Sequence, residues 1–409
     1  MIPRKQLDIG WADLACGLAH CLLLAARDTL HKRLAQQWSS PDTALACLSV
    51  RSGFDLMLQH LALPRGSEIL VSAITIRDMV SIIEHHGLRA VPVDIDPADC
   101  AMRYDLAEAA ITPRTRAILA AHLFGSRMDM TDIMALSRRH KLLVFEDCAQ
   151  AYAADDYRGH PDSDVALFSF GSIKTATALG GAMLTFRDAA LCAAIRQMQR
   201  GYPVQSRWLY LRRILWHACL KALPYRLPYT MFTAWCRVTG TSHDRIISNA
   251  VRGFRGVDLM RNIRHQPSQP LLALLHRRLR DYQPHHLAPR IEVATKAAEC
   301  LPGFTFAGSR NTDHTHWVLP LLSTQPDRLV RHLWENGIDA TRGATSLFAV
   351  PPTDSNQTDP STARHLIDSA VYLPIDDVSQ PEIQQLANVI MNFESTVPSP
   401  AETVLVHER

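Results

Sequence analysis

The chain has no long apolar run. Nothing in its 409 residues reaches the roughly 18 uninterrupted apolar positions that a membrane span requires. Charge of one sign is also scarce: the formal net charge is only +3, too small to argue for a nucleic-acid partner. Cysteine is present but unpatterned, with nine residues scattered in an odd number and no Cys-x-x-Cys pair. That gives no zinc site and fits reduced thiols in a cytoplasm. At the N-terminus Arg4 and Lys5 are followed by Asp8, Asp13 and His20, which interrupt any signal-peptide core. Residues 11–35 therefore read as an amphipathic helix. Acid is missing locally as well, with none between Asp188 and Asp244.

What is present is a globular composition, 47% hydrophobic and 20% charged, in a chain long enough for about two domains. Strand-like segments at Leu45–Val50, Glu68–Ala73, Ala90–Asp94, Ala117–His122 and Leu142–Glu146 alternate with helical stretches such as Arg77–His86. Such alternation indicates a mostly parallel sheet with crossover helices. Two apolar runs end in chemistry. Lys141–Phe145 leads into Asp147 and Gln150, and Val165–Phe170 carries Ser169 and is followed by a lone lysine, Lys174. The carboxyl ends of buried strands are where α/β proteins place their reactive groups. A lysine there, with a carboxylate nearby, points to amine chemistry on a bound cofactor.

Glu146-Asp-Cys-Ala-Gln150, Phe168-Ser-Phe170, Lys174 and Gly180-Gly181 together resemble the DegT/DnrJ/EryC1/StrS sugar aminotransferases, pyridoxal-phosphate enzymes of fold type I. Val93-Asp-Ile-Asp96, Ile111-Thr-Pro-Arg-Thr-Arg-Ala117, His122-Leu-Phe-Gly125, Met128-Asp-Met130 and the late Leu373-Pro-Ile375 fall in the family's order. The resemblance implies roles. Asp147 would hold the proton on the pyridine nitrogen, Gln150 would bind the ring hydroxyl or pack on the ring, and Ser169 would bind the phosphate. Lys174 would carry the cofactor and move the proton. Histidine at that position would favour a dehydratase outcome, so lysine implies amino transfer. Gly53 and Phe54, in Arg51-Ser-Gly-Phe54, fall where the family has Ser-Gly-Thr at a phosphate-binding helix N-terminus; glycine permits the close approach, while Phe54 lacks the hydroxyl. Ile76 stands where an aromatic ring commonly covers the pyridine, and Leu179 where many relatives have glutamate. Asn262, in Asn262-Ile-Arg264, would reach the cofactor phosphate of a neighbouring subunit, which implies a homodimer with shared sites.

Several residues stay open. His122 serves either as an acid–base group or as a buried structural hydrogen-bonder. Asp94 and Asp96 cap and turn the backbone more readily than they bind metal, and no metal is assigned. Arg342, in a Gly337-Ile segment without the relatives' His-Tyr pair, is either an anion contact or a solvated loop arginine.

The segment 202–238 departs most from the resemblance. Tyr210, Arg213, His217 and Lys221 share one helical face, with Trp208, Leu211, Leu215, Cys219 and Ala222 opposite, and Arg196, Arg200, Arg207, Arg212, Arg226 and Arg237 add basic charge. A wide apolar face beside a basic one suits a helix in a membrane interface; a hairpin packed on the protein or across a dimer is the alternative.

The expected architecture is α/β, fold type I. A large cofactor-binding domain spans 1–250, with a mostly parallel seven-stranded sheet and the basic insert at 202–238. Connecting helices span 251–300, and a small C-terminal α/β domain spans 301–409. The expected activity is pyridoxal 5'-phosphate-dependent transfer of an amino group, by resemblance from glutamate, to a keto or aldehyde carbon of a sugar-like acceptor. A lipid-linked acceptor and a non-catalytic binding protein of the same fold are the alternatives. The expected location is the cytoplasm, or the inner face of the membrane.

Overall fold

The computed structural model describes residues 1–4, 6–23, 26–241, 243–244, 246, 258–354 and 357–396. The expected domain boundary at 250/251 lies outside them. The chain opens with two helices, α1 (Trp11–Leu22) and α2 (Arg27–Trp38), and then enters β1 (Ala44–Cys47) and α3 (Val50–Leu61). The single helix expected over 11–35 is thus broken. Leu23 turns extended at the end of α1, because the two halves serve different contacts. α1 packs on the helices that follow the sheet, while α2 also covers β1.

The chain continues through β2 (Glu68–Ser72), β3 (Ile74–Ile76), α4 (Arg77–His85), β4 (Arg89–Val93), α5 (Tyr104–Ala109), β5 (Thr115–Ala121), α6 (Thr131–His140), β6 (Leu143–Asp147), β7 (Val165–Ser169), β8 (Ala182–Phe186) and α7 (Ala189–Arg200). Seven strands form one sheet in the order β1-β8-β7-β6-β5-β2-β4. The four pairs from β7 to β4 are parallel, and β8 runs antiparallel to both neighbours. The strands are buried on both faces, which is why they read as near-continuous apolar runs. Period-two alternation sorts them. Leu45, Cys47, Val165 and Leu167 face the cluster under α3, α4 and α7, whereas Ala44, Ala46, Ala166 and Phe168 face the one under α1 and α2.

The second half supplies α8 (Arg207–Ala222), α9 (Arg226–Val238), α10 (Leu259–Ile263), α11 (Gln269–Asp281), α12 (Ala288–Glu299), β9 (Leu319–Leu322), α13 (Pro326–Glu335), β10 (Leu347–Ala349), α14 (Ser361–Ser369), β11 (Ala370–Leu373) and α15 (Gln380–Thr396). β9 and β11 pair antiparallel, and α12, α13 and α15 pack on them around Leu321, Leu333 and Ile390. Chain order and packing differ at two points. Ile2 pairs with Ile338 and lies in this small core, with Arg4 bound to Asp339 (2.7 Å). Leu271, Leu272, Leu274 and Leu275 of α11 belong instead to the core of the large sheet.

α8 turns the polar of its two faces inward. Tyr210 and His217 are buried, whereas Trp208, Leu209, Leu215 and Trp216 are each at least 50% exposed. The reason is hydrogen-bond demand. The Tyr210 hydroxyl donates to the Ala178 carbonyl (2.6 Å) and Arg213 Nη1 to the Leu179 carbonyl (3.0 Å). Those carbonyls lie in a buried loop where Leu179 has φ +58°, and leaving either unpaired would cost about 1–3 kcal/mol. The polar face is drawn in and the apolar face is left outside.

Candidate active site

Asp147 ends β6 and Ser169 ends β7, neighbouring strands whose carboxyl ends open into a cavity of about 150 Å³. Gln150, Ser172 and Lys174, from the loops that follow, line the same cavity, as do Ser49, Val50 and Arg51 from the start of α3, Ile76 from β3, and Leu179. β10 pairs antiparallel with β3, Leu347 opposite Ile76, and this carries residues 343–347 across the mouth.

Asp147 is partly buried and accepts the Ala149 N–H (3.0 Å). Burial pushes its carboxyl above the usual range, against the pull of that hydrogen bond and of Lys174, His122 and Arg51. An acid held in this way favours a cationic partner at its open side. Gln150 is fixed in the wall, its Oε1 accepting from the Phe124 N–H (2.7 Å). Lys174 Nζ stands over the Trp317 ring, 3.9 Å from its centroid.

α3 begins at Val50, with Ser49 as its cap: the Ser49 hydroxyl accepts the Ser52 N–H (3.1 Å). The helix N-terminus therefore meets the cavity at Ser49–Arg51, where first-turn N–H groups favour an anion. Gly53 and Phe54 lie one turn deeper and do not line the cavity. Phe54 is fully buried, edge-on to Phe145 (6.0 Å). A Cβ on Gly53 would come within 2.6 Å of Leu184 Cδ2, so this glycine serves helix–sheet packing. Asn262 on α10 does not line its own chain's cavity either.

The loop from Gly171 to Gly181 is held from several sides. Thr177 Oγ1 donates to the Gly171 carbonyl (2.7 Å), the Ala176 N–H donates to Asp8 Oδ2 (3.0 Å), and Arg278 Nε donates to the Thr177 carbonyl (3.1 Å). Positive φ at Ala176 and Leu179 is kept in place by these contacts. Leu179, where an acid was noted as usual in the resemblance, is fully buried.

Arg51, Arg213 and Trp317 are among the lining residues to which the sequence alone gave no site role. Arg51 also bonds Asp78, and it sat unremarked inside the motif quoted for its glycine. Arg213 lies on the helix face that it shares with Tyr210 and His217, for which no site role was expected. Trp317 comes from the chain just before β9, where no local pattern points to the site.

His122 is structural. Its Nδ1 accepts the Met128 N–H (3.1 Å), so Nε2 bears the proton toward Glu146 Oε2 (3.0 Å), which also takes the Tyr157 hydroxyl (2.7 Å). With Cys148 these groups lie within 4.8 Å of one another, yet His122 and Glu146 are already engaged. Asp94 caps α14 through the N–H groups of Thr362 (2.9 Å) and Ala363 (2.8 Å), and Arg342 bonds Asp327 (2.9 Å) and the Asp368 carbonyl (2.6 Å).

This sheet order, with strand-end Asp147 and Ser169 and the loop Lys174, is the α/β architecture of fold type I. The structure of the aminotransferase TlmJ from Streptoalloteichus hindustanus superposes on it with a TM-score of 0.68, covering 97% of this chain and all of that one at 17% identity. Residues 28–208 match the model of the DegT/DnrJ/EryC1/StrS aminotransferase family. Over 159 residues the chain is 36% identical to GDP-perosamine synthase of Caulobacter vibrioides, covering 38% of this chain and 43% of that protein. Over 160 residues it is 38% identical to dTDP-3-amino-3,4,6-trideoxy-alpha-D-glucose transaminase of Micromonospora megalomicea, covering 37% and 42%. The matches thus span about two fifths of the length of these curated relatives. Among the described residues no helix is long and apolar enough to cross a membrane.

Proposed function

We propose that the protein is a pyridoxal 5'-phosphate-dependent aminotransferase, moving an amino group from an amino-acid donor, glutamate by resemblance, to a keto or aldehyde carbon of a sugar-like acceptor. The observation that carries this is the convergence of Asp147, Ser169 and Lys174 beside the N-terminus of α3 in one cavity. The donor set fits the cofactor: a buried acid for a ring cation, helix N–H groups and a hydroxyl for a phosphate, and a lysine beyond them. The names of the two relatives above, a perosamine synthase and a deoxysugar transaminase, support the acceptor class.

Pyridoxal phosphate supplies an electron sink next to the amine-bearing carbon. Asp147 would keep the ring nitrogen protonated, and Lys174 would bind the cofactor and then carry the proton between the two carbons that exchange the amine. Ser169 and the first-turn amides at Ser49–Arg51 would hold the phosphate, Gln150 the ring hydroxyl, and Ile76 one ring face. Gly53 and Phe54 would act through packing alone. Arg51 and Arg213 would attract anionic groups of donor or acceptor. Asn262 would serve the cofactor of the partner in a homodimer.

An absorption spectrum of the purified protein beside Lys174→Ala tests this. A band near roughly 410–430 nm that borohydride fixes to Lys174, and that glutamate shifts to about 330 nm, is the expected result. A protein that stays colourless with excess pyridoxal phosphate would be a non-catalytic binding protein of this fold.

A second reading concerns location: a cytoplasmic protein resting on an anionic membrane face. Apart from Met391, every large exposed hydrophobic side chain among the described residues lies in 11–23 or 204–238. No acid interrupts 189–243, and Arg212 is exposed beside Trp208 and Trp216. Flotation with phosphatidylglycerol vesicles, lost in Trp208→Asp/Trp216→Asp, is the expected outcome. Full recovery in the soluble fraction would refute it.

A further inference from the structure

Next to the Lys174 cavity lies a second one of about 100 Å³, and the two share Ile173, Trp317, Gly343 and Ala344 as a common wall. Leu7, Leu220, Leu223, Pro224, Val318 and Leu373 form much of the rest. Of the polar side chains at its border, Gln6 donates to Asp377 (3.0 Å), Asp376 accepts the Gln6 N–H (3.3 Å), the Tyr372 hydroxyl pairs with Thr345 (3.3 Å), and the others share two carboxylates. Arg4 binds Asp339 (2.7 Å) and Asp244, the Tyr229 hydroxyl donates to Asp339, and Thr341 Oγ1 donates to Asp244 (2.6 Å). A sugar hydroxyl placed here would give up water and find few partners, whereas methylene groups would gain contact with leucine, proline and tryptophan.

We propose that the acceptor carries an aliphatic chain and that this cavity holds it while the carbonyl reaches Lys174. The inference rests on the amino-transfer reading and narrows its acceptor. The end of α8 and the turn into α9 supply Leu220, Leu223 and Pro224, and the same stretch bears the outward apolar side chains Trp216, Tyr225 and Leu227, so a chain drawn from an apolar phase would meet apolar surface on its way in. The chemistry balances in two halves. Glutamate would be oxidised to its 2-oxo acid, taking that oxygen from water and giving up its nitrogen and two electrons to bound pyridoxal phosphate as the carrier. The acceptor carbonyl then loses its oxygen as water, takes that nitrogen and is reduced to the amine.

The test uses the full chain, loaded with pyridoxal phosphate and converted by glutamate to the 330 nm form. Propanal, pentanal and octanal are then compared by the return of the band near roughly 410–430 nm. Efficiency is expected to rise by about fourfold for each methylene that enters the cavity. Leu223→Asp, which lies outside the Lys174 cavity, should flatten the series while leaving the glutamate step and the propanal rate unchanged. Leu220→Phe, which fills the space without adding charge, should lower octanal efficiency alone. A flat series in the wild type, or one that neither variant alters, overturns the proposal. If glutamate produces no spectral change, the amino-transfer reading has failed, and calorimetric titration with 1-octanol and 1-propanol reads the cavity directly. Tighter octanol binding that Leu223→Asp abolishes then supports an aliphatic site, and equal binding of the two alcohols refutes it.

Discussion

Lys174 Nζ lies 3.9 Å from the centroid of the Trp317 ring, which ties the loop after β7 to the chain just before β9. Trp317 is locked there by its Nε1, which donates to the Ile173 carbonyl (2.8 Å). A ring face favours the ammonium form of a lysine by about 0.5–2 kcal/mol. Trp317→Leu should therefore lower the pH midpoint at which the Lys174 amine of the cofactor-free protein deprotonates, by roughly 0.4–1.5 pH units. The pH dependence of the rate at which pyridoxal phosphate adds to the protein reads that midpoint. An unchanged midpoint would mean that the ring contact has no electronic consequence.

Asp147→Asn removes the acid without changing its size. The protein should still bind pyridoxal phosphate through Lys174 and show the long-wavelength band. The glutamate step should slow on the order of a hundredfold or more, because the ring nitrogen would lose the group proposed to keep its proton. Stopped-flow absorbance separates binding from this step. Wild-type rates in the variant would remove Asp147 from the mechanism.

Gly53→Ala separates a packing role from a cofactor role. The new methyl would sit 2.6 Å from Leu184 Cδ2, an overpacking that costs about 1–3 kcal/mol, partly offset by the roughly 1 kcal/mol that alanine gains over glycine inside a helix. A modest fall in Tm, relieved in Gly53→Ala/Leu184→Val, is expected, with cofactor affinity unchanged. A large loss of affinity at unchanged Tm would return Gly53 to the site.

Acid should unfold the protein in two stages. Burial, with His316 and Arg290 adding to it, pushes His314 down to about 3, and burial with Arg290 pushes His316 down to about 4. Below the ordinary value near 6.5 the unfolded chain takes protons that the folded one refuses, so stability falls as pH drops from about 6.5. Glu146 follows later. Burial alone would raise it, but His122, Ser163 and Tyr157 hold it at about 2, so its contribution is complete above about 4.5 and is lost as pH falls toward 2. Tm measured from pH 7 to 4.5 should decline, and His314→Gln should flatten that decline. A slope that the variant leaves intact would refute the assignment.

Much of the site was legible because its members are close in sequence and fall on adjacent strands. Asp147, Gln150, Ser169 and Lys174 lie on β6, β7 and the loops beyond them, so strand-end logic alone brings them together. The end of α3 that lines the cavity was legible only to within a turn. Gly53 and Phe54 are in the right helix, but the cap at Ser49 sets the helix start earlier and turns both residues into the core.

The alternation of apolar runs, the mixed but mostly parallel sheet they imply, and the strand ends that carry an acid, a hydroxyl and a lysine were all determined by the amino-acid sequence. Local pattern decides those features because each depends on neighbours within a strand or a turn. Only the tertiary structure decided that Ile2 joins Ile338, that Trp317 meets Lys174, and that α8 turns Tyr210 and Arg213 inward. In the last case an amphipathic pattern reports which face is apolar, not which face is buried. Two buried carbonyls at Ala178 and Leu179 required donors, and that demand outweighed the burial of Trp208 and Trp216.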